Sequence, residues 1–600
     1  FFYTEFVTVI YILILEEDMT KTGKMNKIII GMMLIMLLVV IACSGTDDSS
    51  EWSAPEVTST EVKSEQSTTK GKTPDNELPV YNPGYSDVTK ASDLPQGGTF
   101  VRLYSDPPSL DPHTTSDATS STVIVEIFGG LVTIDPNLNF IPDLAESWDL
   151  SSDGRTYEFK IRKDAKFHDG SSVTAEDFKW SFERAASPDT KSIVASTYLG
   201  DIVGVADKLA SRTTSISGVK VIDEHTLALT IDQPKAYFLP KLTYPTAFVL
   251  DKESVNAAPD TWMFSPNGTG PFVMSAYTPG EYLQLKRNNL YHLGAPNLDS
   301  VDMILSGGNS MIMYENDEID ISGIGIDDLD RALDPSSNIY PDVVKAPPAF
   351  NVNYIGMNVN EPPFDDPKVR QALNMSINKA AIAETLYGGL IVPANGILPF
   401  GFPGFSDEVK GYDYDPEQAK ALLQESTYGD NLENMPTIQL SIPGGFGAPI
   451  DLDLEVMLQE WEQNLGITVN IQQTEWATFL QDLNKRRFQM FKVGWIADYP
   501  DPENFLDVLF HSESTNNHTG YTNPAVDTLL NKARVETDTN ERFELYNEAE
   551  NQILSDAPWI PLWNSAEGYL LIKPHVKNYY LTPLSIPKLR YIYFEKGSGS

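Results

Sequence analysis

The sequence predicts an α/β protein of more than one domain. Segments with period-two alternation and segments with helical spacing follow one another along the whole body of the chain. That body, about 500 residues after a polar stretch near the amino end, is too long for a single core and is expected to divide into two or three domains.

The first elements are addresses rather than structure. Residues 1–18 are read as lying upstream of the start, with Met19 or Met25 as initiator. Lys21, Lys24 and Lys27 precede an apolar run from Ile28 to Ala42, the length of a signal-peptide core and short for a membrane span, so 19–42 is read as a leader. It ends in Val40-Ile41-Ala42-Cys43, which resembles a bacterial lipobox with Val40 where Leu is more usual. Cys43 is the only cysteine, which excludes an intramolecular disulfide and any cysteine-based metal cage. Acylated there, the mature chain starts at Cys43 and is held at the membrane by more than the two apolar anchors that stable attachment needs.

Residues 43–93 then form a flexible linker, too rich in Ser, Thr, Asp, Glu and Pro to repay the entropy of ordering. Gly71-Lys72-Thr73 within it is not a phosphate loop, because Gln66 stands where the pattern needs its first Gly.

In the body, Tyr157, Phe159 and Ile161 alternate with polar residues, as do Leu227, Leu229 and Ile231, and both runs read as half-buried strands. Asp223-Glu224-His225 turns the chain before the second of them. Thr174 with Asp177 makes a variant capping box ahead of Phe178, Phe182 and Ala185 on one helical face. Asp366-Pro367 and Asp415-Pro416 each set a cap before a proline at the first helical position. The run Phe488 to Trp495 predicts a strand that delivers Asp498 to its end, in the stretch Gly494-Trp495-Ile496-Ala497-Asp498-Tyr499-Pro500-Asp501-Pro502. An acid fixed there beside Trp495 suits a ligand amine through charge-assisted hydrogen bonds. Asp498 and Asp501 also fit the plainer role of turn residues.

Gly494 to Leu506 resembles the signature of the family 5 extracellular solute-binding proteins, which serve peptide importers of the ATP-binding-cassette type. Further motifs extend the resemblance over about Gly97 to Tyr593. They are Gly97-Gly98-Thr99-Phe100, Pro108-Ser109-Leu110-Asp111-Pro112-His113, Leu144-Ala145-Glu146-Ser147-Trp148, Phe167-His168-Asp169-Gly170, Asn267-Gly268-Thr269-Gly270-Pro271-Phe272 and Asp366-Pro367-Lys368-Val369-Arg370-Gln371-Ala372-Leu373.

The resemblance implies two hinged lobes with an extra inserted subdomain: lobe I from residues 94–133, 248–350 and 561–600, the insert from 134–247, and lobe II from 351–560. It implies a peptide ligand, a membrane permease as partner, and no cofactor. By position, Asp498 would meet the peptide's ammonium and Lys492 a carboxylate, with Lys losing the planar fork that an Arg would bring. A peptide laid along Gly494 and Ile496 would be held through its own backbone, which tolerates any side chain. Trp495 is expected in the cleft wall, and Asp106, Pro107, Pro108 and Ser109 are expected to face the ligand from lobe I.

Other classes find less support. A net charge of −41 argues against nucleic acid and against direct adhesion to anionic lipid. The seven histidines show no zinc spacing, and His511 and His518 are expected in surface loops. No Gly-x-Ser-x-Gly elbow is present. Abundant acids leave a glycosidase pair open, but no pair is singled out. Relatives of this fold that bind oligosaccharides or other solutes remain the nearer alternative, and a monomer is expected.

Overall fold

The computed structural model describes residues 94–444 and 449–595. The leader, Cys43 and the linker lie outside the described residues.

Two mixed sheets and one antiparallel sheet organise the chain. The first large sheet runs in the order Val343–Ala346, Gly568–Ile572, Ile321–Gly323, Thr99–Leu103, Ser300–Ile304, Tyr282–Arg287, Phe272–Thr278. The second runs Ile391–Pro393, Trp559–Ser565, Asn351–Met357, Met490–Ile496, Ile438–Pro443, Val469–Thr474. The chain passes between these two sheets twice, after Ala346 and after Ser565, and two such short strands are what a hinge needs.

The expected α/β architecture of two lobes is therefore found. One boundary moves: Trp559–Ser565 pairs with Asn351–Met357 and Ile391–Pro393, so the return to the first sheet falls after Ser565 and not at Pro561.

The four-stranded antiparallel sheet, Ala145–Leu150, Thr156–Ile161, Thr226–Thr230 and Val219–Asp223, has its own core from Leu131 to Val249. Alternation in Thr156–Ile161 buries Tyr157, Phe159 and Ile161 against it, as period two requires. The helix Ala175–Ala185 covers this sheet, and its Asp177 carboxylate accepts the Thr174 N–H at 2.8 Å. Asp366 and Asp415 cap Pro367–Met375 and Pro416–Gln424, each accepting a backbone N–H of the first turn.

Gly268 and Gly270 of the Asn267–Phe272 motif are close-approach glycines. A Cβ on Gly268 would lie 2.0 Å from the Ile127 carbonyl oxygen, and one on Gly270 2.5 Å from that of Glu126. The motif thus docks a loop flat against the end of the helix Ala118–Ile127.

Candidate functional site

The strand Met490–Ile496 is paired along its full length with Asn351–Met357, but on its other edge Ile438–Pro443 reaches only Met490 and Phe491. Among the described residues no strand pairs the edge from Lys492 to Ile496. Its backbone faces two adjoining cavities of about 250 and 400 Å³ that share Asn353, Trp476, Val493 and Gly494. Gly494 is exposed, and its missing side chain leaves the backbone open to contact.

Past the strand, the Ala497 N–H donates to the Phe350 carbonyl at the hinge (2.8 Å), which fixes where Asp498 emerges. Buried Asn504 then clamps Asp498 twice: its Oδ1 accepts the Asp498 N–H at 2.9 Å, and its Nδ2 donates to the carboxylate at 2.8 Å. The Tyr198 hydroxyl donates to the same carboxylate oxygen at 2.5 Å. Tyr198 comes from the inserted subdomain and is stacked on Tyr244, with centroids 3.6 Å apart. Asp498 lines the 250 Å³ cavity, and desolvation pushes its carboxyl up to about 6 against the two hydrogen bonds that pull it down.

Its neighbours differ from it in one respect. Asp501 pairs with Arg542, Glu503 with Lys241 at 2.7 Å, and Asp507 with Arg534 at 2.7 Å. Asp501 is also the turn residue, accepting the Glu503 N–H. Asp498 alone of these four acids has no cationic partner among the described residues.

Trp495 and Ile496 line the 250 Å³ cavity, and the Trp495 Nε1–H donates to Asn504 at 3.3 Å. Three other expectations are corrected. Lys492 lines the 400 Å³ cavity, but its ammonium is 3.0 Å from Asp451 and 3.1 Å from both oxygens of Asp453, so all three of its donors and its charge are already engaged. Asp106, Pro107, Pro108 and Ser109 do not line either cavity. Asp106 accepts from Tyr277 and Gly280, and the Ser109 N–H donates to Ser120. The first lobe instead offers Ser116 to Thr119, where Asp117 caps the helix Ala118–Ile127. His511 and His518 are buried rather than in surface loops. His518 faces the cavity, bonds Asn484, and is pushed down to about 3 by burial, so its ring is neutral.

Sequence reasoning missed Tyr198, Tyr244, Trp476 and Asn504. Only Asn504 lies inside the signature stretch, where a polar residue six positions after Asp498 was the available sign.

Comparison with known proteins places this geometry. The family model described as "Bacterial extracellular solute-binding proteins, family 5 Middle" matches residues 139–517. The periplasmic oligopeptide-binding protein OppA of Escherichia coli K12 is 30% identical over 523 residues, 82% of this chain and 93% of that protein. The heme-binding protein A of Haemophilus influenzae is also 30% identical, over 74% of this chain and 82% of its own. The structure of the murein tripeptide binding protein MppA of Escherichia coli superposes with a TM-score of 0.76 at 27% identity, covering 84% of this chain and 99% of that one. The chain belongs to the family 5 bacterial extracellular solute-binding proteins.

Proposed function

We propose that the protein captures peptides between its two lobes, by their amino ends, and delivers them to a membrane permease of the ATP-binding-cassette type. The observation that carries the reading is the missing cation at Asp498. Three acids within nine residues of it each have an Arg or Lys, while Asp498 has only the neutral donors Tyr198 and Asn504. A ligand ammonium supplies the absent charge at a carboxylate that burial has partly desolvated.

The free edge of Lys492 to Ile496 supports the same reading, because it offers backbone partners to an extended chain whose first amine sits at Asp498. The name carried by the oligopeptide-binding relative agrees. The heme-binding relative, at equal identity, means that identity alone does not choose the ligand.

In this reading the protein is a binding component rather than an enzyme. It works as a monomer outside the cytoplasm, tethered by acyl chains on Cys43. Native mass spectrometry of the folded body, purified with whatever it carries, tests the ligand class. A ladder of masses fitting peptides supports the reading; masses spaced by hexose units or a single heme-sized mass defeats it.

A further inference from the structure

A peptide held through its backbone keeps its side chains free to vary, except where the protein sets an unengaged group in the path of one of them. Four residues line both cavities beside the open edge of Met490–Ile496: Asn353, Trp476, Val493 and Gly494. Of these, only Asn353 can both donate and accept a hydrogen bond through its side chain.

Asn353 stands opposite Gly494 in the pairing of Asn351–Met357 with Met490–Ile496. A Cβ on Gly494 would lie 2.9 Å from the Asn353 Oδ1, so the carboxamide lies across the space that Gly494 leaves empty. Alternation sends Val352 and Tyr354 into the core and puts Asn353, half-buried, on the cleft face. The pairing with Trp559–Ser565 shifts register between Asn353 and Tyr354, and such bulges beside a site re-aim a side chain.

The Asn353 carboxamide makes no hydrogen bond among the described residues, and neither of its polar atoms is shut away from solvent. The three other carboxamides lining the 250 Å³ cavity are engaged. Asn351 donates to the Ser565 hydroxyl and accepts the Ser565 N–H, both at 2.9 Å; Asn484 bonds His518 at 3.1 Å; Asn516 donates to Thr197 at 3.3 Å. A half-buried amide that forgoes its hydrogen bonds is costly unless a ligand completes them.

A ligand strand added to the open edge continues the sheet. Its residue opposite Gly494 then falls in one row with Asn353, on the same face, with only Gly494 between them. Two strand spacings are about 9.5 Å, of which a hydrogen bond takes about 3 Å, so a ligand side chain about as long as that of Asn353 closes the gap above Gly494.

We infer that Asn353 selects the ligand residue opposite Gly494 by a hydrogen bond between its carboxamide and a carboxamide side chain, so that Asn or Gln is favoured at that one position of the peptide. The inference rests on the peptide reading above. It adds one selective position to a site that otherwise holds the ligand by its backbone and its amine.

The test walks a single Asn, Gln, Leu or Lys along alanine peptides of three to six residues with free termini, by titration calorimetry on the folded body. In the wild type one position favours Asn or Gln over Leu by about 5- to 10-fold, the size of one net hydrogen bond, and the other positions differ by less than about twofold. In Asn353→Ala that preference falls to about one, while binding of the all-alanine peptide shows that the variant is folded. Asn353→Asp keeps the shape and adds a charge, so the preference at the same position moves from Asn to Lys, which a merely structural residue would not produce.

No favoured position in the wild type, a preference that persists in Asn353→Ala, or one that stays with Asn in Asn353→Asp overturns the inference while the peptide reading stands. Loss of all peptide binding in both variants also overturns it, since Asn353 then supports the site rather than selects its ligand. Binding of no peptide by the wild type overturns the peptide reading and this inference together.

Discussion

Ligand affinity should depend on pH through Asp498, and the structure sets both the direction and the size. Without ligand, burial holds the Asp498 carboxyl at about 6. An ammonium at the site favours the ionised form, so the bound state keeps the carboxylate to lower pH and binding releases a proton from part of the free protein. Affinity is then full above pH 6 and falls as pH drops through it. At pH 5 about one free molecule in eleven has the group ionised, so the dissociation constant rises roughly tenfold, about 1.4 kcal/mol. Above about pH 8 the peptide amine itself loses its proton and affinity falls again. Titration calorimetry with a bound-length peptide at pH 5, 7 and 9 reads the curve. Asp498→Asn removes the acid limb and costs roughly 1.5–3 kcal/mol at pH 7, and an amino-acetylated peptide behaves toward wild type as the free peptide does toward the variant. An acid limb that survives in Asp498→Asn, or equal losses for free and acetylated peptides, refutes the amine pairing.

The remaining predictions concern what holds the site in place. Lys241→Met removes the cation between Glu503 and Asp201, both nearly buried, and should cost about 3–5 kcal/mol in urea denaturation, with Glu503→Leu recovering much of it in the double variant; a loss below about 1 kcal/mol argues that the pair is solvent-screened. Gly268→Ala pushes a methyl to 2.0 Å from the Ile127 carbonyl oxygen, a backbone atom that cannot step aside, and should lower stability by about 2 kcal/mol or more; an unchanged melting temperature counts against the close-approach reading. Glu550, whose Oε1 accepts the N–H groups of Ile397 (2.6 Å) and Leu398 (2.9 Å), is pushed up to about 7 by burial. The folded state therefore keeps a proton between about pH 4.5 and 7 that the unfolded state gives up, so this group costs stability as pH rises through that window. Glu550→Gln should gain on the order of 2 kcal/mol relative to wild type at pH 8 and little at pH 5; equal effects at both values remove Glu550 as the cause.

Local chemistry was legible in the sequence where the interaction is local. The caps at Asp366 and Asp415, the Thr174–Asp177 box and the strand that ends before Asp498 each depend on residues within a few positions, and each is found. The errors share a cause in contacts from far along the chain. His511 and His518 sit among polar residues that read as surface, yet the fold buries both. Lys492 reads as a free strand lysine until Asp451 and Asp453, some forty residues earlier, are brought against it. Asp106 to Ser109 carry the prolines that suggest a ligand-facing loop, but the chain turns once more before Ser116 to Thr119 reach the cavity.

The same limit explains why Asp498 could not be told from Asp501 by reading. The two acids stand three apart in one proline-rich stretch, Asp501 between Pro500 and Pro502 and Asp498 two residues before Pro500, and either could have been the turn residue or the ligand's partner. Folding assigns them. Arg542, forty-one residues on, closes on Asp501 with two donors, so Asp501 is neutralised and its carboxylate is left to organise the turn. Asp498 receives instead a hydroxyl from Tyr198, three hundred residues away, and an amide from Asn504, which orient it without neutralising it. A carboxylate that is desolvated, held at two points and left uncompensated is raised in pKa for the same reason that it is ready for a cation. Arg542→Gln would blur that distinction: Asp501 would lose its cation, and a second uncompensated acid would then stand beside the site, competing for the charge that the ligand brings.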